Sequence, residues 1–508
     1  MERLTARLAR NARSAPQRVA MVDGARTVDY ATFWQQACGF ARYLRRAGLQ
    51  AQERVAIVLP NRIEAAVAVY GTWLAGGVVA PLNAQARSRD FGPWLRHCGA
   101  RFVVHEAGHR DMEQTLSEWD GRSPVPAAIG LAPEASLPSE SGDDSLAACD
   151  ADADATLAQL LYTSGTTGDP KGVMLSHANV ASNTDAVIDY LGLAPQDTVV
   201  SVLPFYYAYG ASVLHTHLAS GACIVLGPSM VFPIQVLDAI QHHRATGFSG
   251  VPSTYVLLMD MLERRGHDLA SLRYLTQAGG AMAPAVADRV RGLLPDARLF
   301  LMYGQTEATS RISWLPPERL DEKRGSVGIP VQDTHWRIVG EGGAAVAVAV
   351  AAGQAGEVCV RGPGIMLGYW NNPAATQAVL RDGWLHTGDL GYLDADGYLF
   401  LQGRRSDMIK TGAHRVHPTD VEEVIAELPG IREVAVVGIE DDALGQVIKA
   451  FVVADDVLPR AEDRIKAHCR ARLAAYKIPR HITFVDALPR TASGKVRRVQ
   501  LTEQTASP

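Results

Sequence analysis

The sequence predicts an α/β protein, with a large N-terminal domain of two helix-covered sheets plus a β-rich subdomain, followed by a small α+β C-terminal domain. Strand and helix patterns alternate over residues 28–100 and again over residues 198–301, and such repeats are typical of parallel sheets covered by helices. Between residues 325 and 400, short apolar runs and glycine turns replace the helices, which indicates a β-rich subdomain. Residues 403–508 alternate helix and strand patterns again, over a length sufficient for a small independent domain.

Hydrophobic periodicity places the individual elements along the chain. The large domain is predicted to contain helices over residues 30–47 and 63–75, and strands over 54–59, 78–82, 198–203, 222–226 and 298–302. Residues 121–155 are rich in Ser, Pro, Ala and Asp, so we expect a long surface excursion there. The small domain is predicted to contain helices over 420–428 and 462–473, and strands over 434–438 and 449–453.

Composition excludes several classes of protein. The chain has 508 residues, of which 47% are hydrophobic and 20% charged, and its formal net charge is -5. This balance is typical of a globular protein and offers no basic face for nucleic acid or for a membrane surface. No apolar run reaches the ~18 residues of a membrane-spanning helix, and no secretory signal is recognisable. The six cysteines are scattered, which predicts reduced thiols in a cytoplasmic protein.

A loop rich in glycine and hydroxyl side chains, YTSGTTGDPKG at residues 162–172, is the most informative segment. It follows the apolar residues Leu160 and Leu161 and is therefore predicted to leave a buried strand. Glycines let backbone N–H groups approach an anion, hydroxyls donate further hydrogen bonds, and a lysine adds a mobile positive charge. These groups suit a polyphosphate, although a flexible linker has the same composition. The phosphate-binding candidates are Thr163, Ser164, Gly165, Thr166, Thr167, Gly168 and Lys171.

Four further motifs follow this loop. They are YGQTE at residues 303–307, WLHTGD at 384–389, Gly403-Arg404, and PRTASGK at 489–495. In this order and at these separations, the five motifs resemble those of the adenylate-forming superfamily. That superfamily includes acyl- and aryl-CoA synthetases, adenylation domains of non-ribosomal peptide synthetases, and firefly luciferase. The resemblance spans about residues 10–500, and it implies attack of a carboxylic acid on the α-phosphate of ATP.

The resemblance also implies which residues contact the nucleotide. The loop at 163–172 would hold the β- and γ-phosphates, and Tyr303 would stack near adenine. Asp389 would accept hydrogen bonds from the ribose hydroxyls, since one carboxylate can serve both. Thr306 would reach the α-phosphate, and Arg404 would contact ribose or phosphate. The remaining nucleotide-binding candidates are Gly279, Gly280, Ala281 and Gly304.

Four residues form the predicted catalytic set. Glu307 would ligate Mg²⁺, which prefers a few carboxylate contacts together with phosphate oxygens. Lys495 matches the family's catalytic lysine, which bridges the substrate carboxylate and the α-phosphate; outside that motif it would read as a solvated side chain. Thr166 and Lys171 complete the catalytic set. The family further implies that residues 1–402 form the adenylate-forming domain and that residues 403–508 form a mobile domain, which rotates between two half-reactions.

The acid pocket is expected to begin at residues 204–210, PFYYAYG. Domains that activate amino acids place an Asp where Ala208 stands, and burying an ammonium without that carboxylate is costly. Tyr207, Ala208, Tyr209 and Gly210 are similar to the Phe-Ala-Tyr-Gly of benzoate-CoA ligases. We therefore expect a small aryl or short acyl acid. The pocket candidates are Tyr207, Ala208, Tyr209, Ser212, Thr276, Ala278 and Met302.

The resemblance leaves several activities open. The first expectation is an AMP-forming acid:thiol ligase that uses ATP, Mg²⁺ and coenzyme A. Residues 409–418 resemble the segment that meets the pantetheine thiol, and a phosphopantetheinyl carrier protein presents the same arm. A stand-alone ligase that loads such a carrier is therefore the alternative. A luciferase-like oxygenase and a non-catalytic adenylate-binding protein are the remaining alternatives.

Overall fold

The computed structural model describes residues 2–506, apart from residues 120, 122, 143–155, 164–169, 341–351, 405–406, 412–413, 442–444, 456–460 and 492–494. It confirms the α/β class, with a large N-terminal domain and a small C-terminal one. Three sheets form the framework. Strands and helices are numbered in chain order.

The first sheet has seven strands and contains the predicted parallel pairs of the first series. Its neighbours run in the order β18-β8-β7-β4-β3-β5-β6, and its strands are β3 (Arg54–Val58), β4 (Val78–Pro81), β5 (Ala100–Glu106), β6 (Ala127–Leu131), β7 (Leu157–Thr163), β8 (Lys171–Ser176) and β18 (Gly368–Tyr369). β8 pairs antiparallel with both β7 and β18. The phosphate loop therefore joins two adjacent strands, β7 and β8.

The second sheet has 14 strands and combines a parallel half with an antiparallel half. The parallel half and its edge hairpin contain β1 (Val19–Asp23), β2 (Arg26–Asp29), β9 (Thr198–Ser201), β10 (Cys223–Leu226), β11 (Gly247–Gly250), β12 (Tyr274–Gln277) and β13 (Arg298–Tyr303). The antiparallel half contains β14 (Ser313–Leu315), β15 (Ser326–Pro330), β16 (His335–Val339), β17 (Gly356–Arg361), β19 (Leu380–Arg381), β20 (Trp384–Leu393) and β21 (Leu399–Arg404). The β-rich segment thus extends this sheet through β14 and β15.

The small domain is built on a sheet of five strands. These are β22 (Ile409–Thr411), β23 (His414–Val416), β24 (Ile431–Asp441), β25 (Gly445–Ala454) and β26 (His481–Phe484). Its two longest strands, β24 and β25, extend beyond the ranges predicted for them, because they form a long antiparallel ladder with each other. The small domain has its own buried apolar clusters, including Ile409, Val436 and Val452.

Helices cover the sheets and fill the connections between parallel strands. In the large domain they are α1 (Leu4–Ser14), α2 (Tyr30–Arg46), α3 (Ile63–Leu74), α4 (Ser88–Cys98), α5 (Arg110–Ser117), α6 (His177–Leu191), α7 (Ala208–Ser220), α8 (Pro233–His242), α9 (Pro252–Arg265), α10 (Pro284–Leu293) and α11 (Pro373–Val379). In the small domain they are α12 (Pro418–Ala426), α13 (Ala461–Arg472) and α14 (Arg498–Ala506).

Helix α3 is buried along its whole length, and this explains its sequence. All its residues, IEAAVAVYGTWL, are buried, so no polar face is needed. Its one charged residue, Glu64, accepts from Arg26 Nη1 at 2.7 Å and from Arg62 Nε at 2.7 Å. Burial raises the pKa of Glu64, but hydrogen bonds from both arginines outweigh it and leave the pKa below its ordinary value.

One expectation about the connections is wrong. Residues 127–131 lie inside the expected surface excursion, yet they form β6 and pair parallel with β5 at the edge of the first sheet. Only Ile129 and Leu131 of this strand are buried. The remainder of the excursion at 143–155 lies outside the described residues.

The free thiols and the character of the helices agree with the predictions made from composition. Cys38, Cys98, Cys223, Cys359 and Cys469 are free thiols, as expected from their scattered positions. In the described part of the chain, no helix has both the length and the apolar character needed to cross a bilayer.

Candidate active site

A single large cavity collects most of the predicted site residues. Its volume is about 2030 Å³, and it lies between the large and small domains. Parallel strands β11, β12 and β13 end at this cavity, and the residues just after each strand line it. Ligands of parallel α/β sheets bind at the carboxyl ends of strands, so the fold itself places the site here.

The cavity wall includes 14 of the predicted residues. These are Thr163, Lys171, Tyr207, Gly279, Gly280, Ala281, Met302, Tyr303, Gly304, Thr306, Glu307, Asp389, Arg404 and Lys495. Ser164, Gly165, Thr166, Thr167 and Gly168 lie outside the described residues. Of this segment, the structure describes the flanking strands β7 and β8.

Asp389 is held between two donors. Tyr303 donates from its hydroxyl to Asp389 Oδ2 at 2.6 Å, and Arg404 Nε lies 3.1 Å from Oδ1. Asp389 and Arg404 are register partners on the neighbouring strands β20 and β21. Asp389 raises the pKa of Arg404, and burial raises that of Tyr303 well above its ordinary value. Two donors thus fix the orientation of this carboxylate, whose oxygens can accept hydrogen bonds from hydroxyl groups.

The part of β20 that carries Asp389 is fixed from the neighbouring strand β17. Thr387 donates to the carbonyl of Val358 and accepts from the backbone N–H of Asp389. Glu357 accepts from the N–H of Gly388 at 3.2 Å and pairs with His386 Nδ1 at 3.0 Å. These contacts explain why the WLHTGD motif needs a threonine and a polar partner strand.

Cys359 lies beside the same histidine. Its sulfur is 3.4 Å from His386 Nδ1, and the ligand atoms of Glu357, Cys359 and His386 all lie within 4.8 Å of one another. Burial, followed by the charge of Glu357, raises the pKa of the Cys359 thiol to about 12. The thiol is therefore neutral near pH 7, and hydrogen bonding accounts for this cluster.

Glu307 lies on a single 3-10 turn, Thr306–Ala308, directly after β13. Tyr369 donates from its hydroxyl to Glu307 Oε1 at 2.8 Å, and the N–H of Met366 donates to the carbonyl of Glu307. The second carboxylate oxygen has no partner among the described residues, and the side chain is half-buried. A half-buried carboxylate with a free oxygen at a cavity wall suits a Mg²⁺ ion.

Gly304 permits a close backbone approach in the YGQTE motif. A Cβ atom at this position would lie 1.8 Å from the carbonyl oxygen of Ser310. The next residue, Gln305, has a buried Nε2 atom with no partner among the described residues. This donor lies at the cavity wall and suits a ligand rich in acceptor atoms, as a nucleotide is.

Lys495 brings a positive charge from the small domain to the same cavity as Glu307 and Asp389. Although the residue is solvent-exposed, desolvation by the protein around its ammonium lowers its pKa, and the charge of Arg404 lowers it further. Its backbone is held by Thr491, whose N–H donates to the Lys495 carbonyl at 2.7 Å. The carboxylates and cations that ATP and an acid would contact therefore face one space.

The predicted acid pocket divides into a wall and a layer behind it. Tyr207 and Met302 line the cavity, and Tyr206, which the sequence did not single out, lines it beside Tyr207. The rings of Tyr206 and Tyr207 are 4.5 Å apart, and burial raises the pKa of Tyr207 to about 12. The cavity thus has an aromatic side that stays uncharged near neutral pH.

The other pocket candidates lie behind this wall. Ala208, Tyr209, Ser212, Thr276 and Ala278 are absent from the cavity lining. The Tyr209 hydroxyl lies 2.8 Å from Thr276 Oγ1. These residues share the buried interior of the large domain.

Arg311, which the sequence did not single out, contacts two residues of the predicted acid pocket. Its guanidinium lies 4.1 Å from the centre of the Tyr209 ring. Its Nε donates to Met302 Sδ at 3.3 Å, and the Tyr190 hydroxyl donates to the same sulfur at 2.9 Å. Met302 is therefore held from behind by two donors. The only signal for this role in the sequence was an arginine that stands four residues after YGQTE.

Comparisons with known proteins agree with this arrangement. The family model for AMP-binding enzymes matches residues 8–370, and that for the AMP-binding enzyme C-terminal domain matches residues 420–495. Feruloyl-CoA synthase from an Amycolatopsis species is 34% identical over 490 residues, which cover 96% of each chain.

Solved structures give the same result. The o-succinylbenzoate CoA synthetase of Bacillus subtilis, in complex with its acyl-adenylate intermediate, is 30% identical, with a TM-score of 0.81 and 97% of both chains covered. A benzoate CoA ligase from Burkholderia xenovorans LB400 is 26% identical, with a TM-score of 0.87, covering 99% of this chain and 100% of that one. With a family model matched over most of its length and relatives that align from end to end, this chain belongs to the AMP-binding enzyme family.

Proposed function

We propose that this protein is an ATP-dependent acid:thiol ligase, which forms an acyl- or aryl-adenylate and pyrophosphate, and then a thioester with coenzyme A. One observation carries the proposal: Glu307, Asp389, Arg404 and Lys495 face a single cavity. The relatives support it, because those named above join coenzyme A to carboxylic acids. The catalytic and binding roles of individual residues are part of the proposal.

Residues of this protein bind and orient ATP and the acid for the first half-reaction. Asp389 accepts from the ribose hydroxyls, while Thr163 and Lys171 hold the phosphates together with the loop between them. Lys495 lies between the acid carboxylate and the α-phosphate, where its charge stabilises the phosphoryl group under attack. Glu307 would hold Mg²⁺, which neutralises charge on the phosphate oxygens when it is bound. The acid oxygen forms the new bond to phosphorus as pyrophosphate leaves.

The substrate is proposed to be a small aryl or short acyl acid. Tyr206, Tyr207 and Met302 form the cavity side nearest the start of α7. An aromatic ring packed on such a side gains about 0.5–1.5 kcal/mol beyond the burial of its area. Ala208 offers no carboxylate for an ammonium, which disfavours α-amino acids.

A panel of carboxylic acids tests the proposed function. Pyrophosphate release is measured with ATP, Mg²⁺ and aryl, short, medium and long acids, using coenzyme A or a phosphopantetheinylated carrier protein as acceptor. We expect benzoate-like acids to exceed α-amino acids, and chelation of Mg²⁺ by EDTA to abolish release. Ala208→Asp should weaken activity, because it adds a buried carboxylate without a partner.

Three outcomes would contradict the proposal. Absence of pyrophosphate release with every acid would reject the ligase activity. A proteinogenic amino acid as best substrate, or a preference for chains of about twelve carbons or more, would reject the proposed substrate class. Oxygen uptake during turnover would indicate a luciferase-like oxygenase instead of a ligase.

A further inference from the structure

Tyr369 makes a contact that the sequence motifs do not predict. Its hydroxyl donates to Glu307 Oε1 at 2.8 Å across a separation of 62 residues. A phenol O–H donates and a carboxylate oxygen accepts, so the direction of this hydrogen bond is fixed by the two groups.

The backbone around Tyr369 is firmly held. Tyr369 and Gly368 pair with Val173 and Met174 of β8, the strand that follows the phosphate loop. The N–H of Tyr369 donates to Thr376 Oγ1 at 2.9 Å. Gly368 has φ +141°, and a Cβ there would lie 2.7 Å from a carbon of Thr376. These contacts fix the backbone of Tyr369 to the first sheet, and its side chain extends from there to Glu307.

The same ring faces the phosphate loop. Lys171 Nζ lies 5.9 Å from the centre of the Tyr369 ring, within the range of a cation–π contact. Tyr369 also lines the cavity next to both residues. One side chain therefore contacts the candidate metal ligand through its hydroxyl and the loop lysine through its face.

We propose that Tyr369 is a positioning residue for the metal site: its hydroxyl orients the Glu307 carboxylate so that Oε2 faces the phosphates. This inference rests on the proposed function, because it takes Glu307 as the Mg²⁺ ligand. Hydrogen bonds to a metal-ligating carboxylate fix its orientation, and loss of such a partner typically costs roughly 10–100-fold in metal affinity.

Nucleotide binding with and without metal tests the proposal. The ligand is the α,β-methylene analogue of ATP, which cannot release pyrophosphate, and the metal is Mn²⁺, whose bound state is observed by electron paramagnetic resonance. For each variant, the dissociation constant of the analogue is measured without metal and with saturating Mn²⁺. We expect Tyr369→Phe to reduce the tightening caused by Mn²⁺ by roughly 10-fold or more, with little change in metal-free binding.

Two controls separate positioning from a structural role. Tyr398→Phe is the matched control, because Tyr398 also carries a lysine ammonium, that of Lys323, 4.8 Å from its ring centre and does not line the cavity. It should leave the Mn²⁺ effect unchanged. Glu307→Gln should remove the Mn²⁺ effect, and adding Tyr369→Phe to it should cause no further loss.

The result that would overturn the proposal is a Tyr369→Phe variant that keeps the full Mn²⁺ effect, or one that loses metal-free and metal-dependent binding equally. The assay needs no acid, so it is independent of the acid panel. If no acid is activated while Tyr369→Phe still lowers the Mn²⁺ effect, the proposed function fails and the positioning role stands. If acids are activated and the Mn²⁺ effect is unchanged, only the positioning role fails.

Discussion

Lys495 carries its charge into a cavity that already contains Arg404, and both partial desolvation of its ammonium and the charge of Arg404 lower its pKa. The protonated form is the one that can stabilise the reacting phosphoryl group. Activity is therefore lost as pH rises through this pKa, and we expect the basic limb below the ~10.4 of an ordinary lysine. The measurement is the pH profile of kcat/KM for pyrophosphate exchange.

Two variants test whether this limb belongs to Lys495. Lys495→Arg keeps a charge that does not titrate, so the limb should disappear even though the rate falls. Arg404→Gln removes a nearby positive charge, so it should move the limb to higher pH. A basic limb that stays in place in Lys495→Arg would assign it to another group.

Single residues also show where sequence analysis reached its limit. Tyr207 and Tyr209 both belong to the motif that resembles benzoate-CoA ligases, yet only Tyr207 lines the cavity. Tyr207 is the extended residue directly before α7, whereas Tyr209 lies in the first turn of that helix, so their side chains leave the backbone in different directions. The motif contains both tyrosines, but the position of the helix start determines which of them reaches the cavity.

At the scale of elements, helix α3 depends on one buried carboxylate. Glu64→Gln leaves the buried guanidinium of Arg62 without its closest anion. We expect a loss of about 3 kcal/mol in the free energy of unfolding, at the lower end for breaking a buried ion pair, because Glu106 remains 3.8 Å from Arg62. Denaturant unfolding measures this change.

The pH dependence of that loss has a definite sign. The pKa of Glu64 is lowered in the folded protein, so its stabilising effect is complete above the unfolded value of ~4.3 and is lost as pH falls through the folded value. Glu64→Gln should lack this acid dependence. The exposed pair of Arg319 and Glu322 provides the control: Glu322→Gln should cost less than about 1 kcal/mol. Equal effects of the two variants would contradict the prediction.

Elements were predictable where hydrophobic pattern alone determines them. The runs that form β3, α3 and β4 are almost wholly buried, so apolar residues dominate each of them. Strand β6 was missed because it is an edge strand with only two buried residues and a glycine inside it. The bond between Tyr369 and Glu307 was not predictable, because it depends on how β18 joins the first sheet.

At the scale of the whole molecule, the proposed mechanism uses different faces of the small domain for its two half-reactions. Lys495 lines the cavity here, whereas none of the described residues among 409–418 does. This arrangement supports the proposal that the domain of residues 403–508 presents Lys495 for adenylation and then rotates. We expect Lys495→Ala to slow adenylate formation by roughly 10²–10³-fold, and to spare thioester formation from a supplied adenylate.

Separate assays of the two steps check this expectation. Pyrophosphate exchange reports the first, and consumption of coenzyme A with synthetic adenylate reports the second. Lys466→Ala, which removes a lysine paired with Glu462 on a surface of the same domain, should affect neither. Equal loss of both steps in Lys495→Ala would reject the two-orientation proposal.

The pairing of Asp389 with Arg404 has a thermodynamic consequence. Arg404 is the last residue of β21, so the carboxylate proposed to bind ribose is joined to the residue after which the proposed mobile domain continues. If the small domain turns about the residues after Arg404, nucleotide occupancy and domain orientation are linked equilibria. Linkage is reciprocal: if bound ATP favours one domain orientation by a given factor, that orientation binds ATP more tightly by the same factor. Rotation away from that orientation would then weaken nucleotide binding. Release of the nucleotide and rotation of the domain would therefore depend on the same free-energy change.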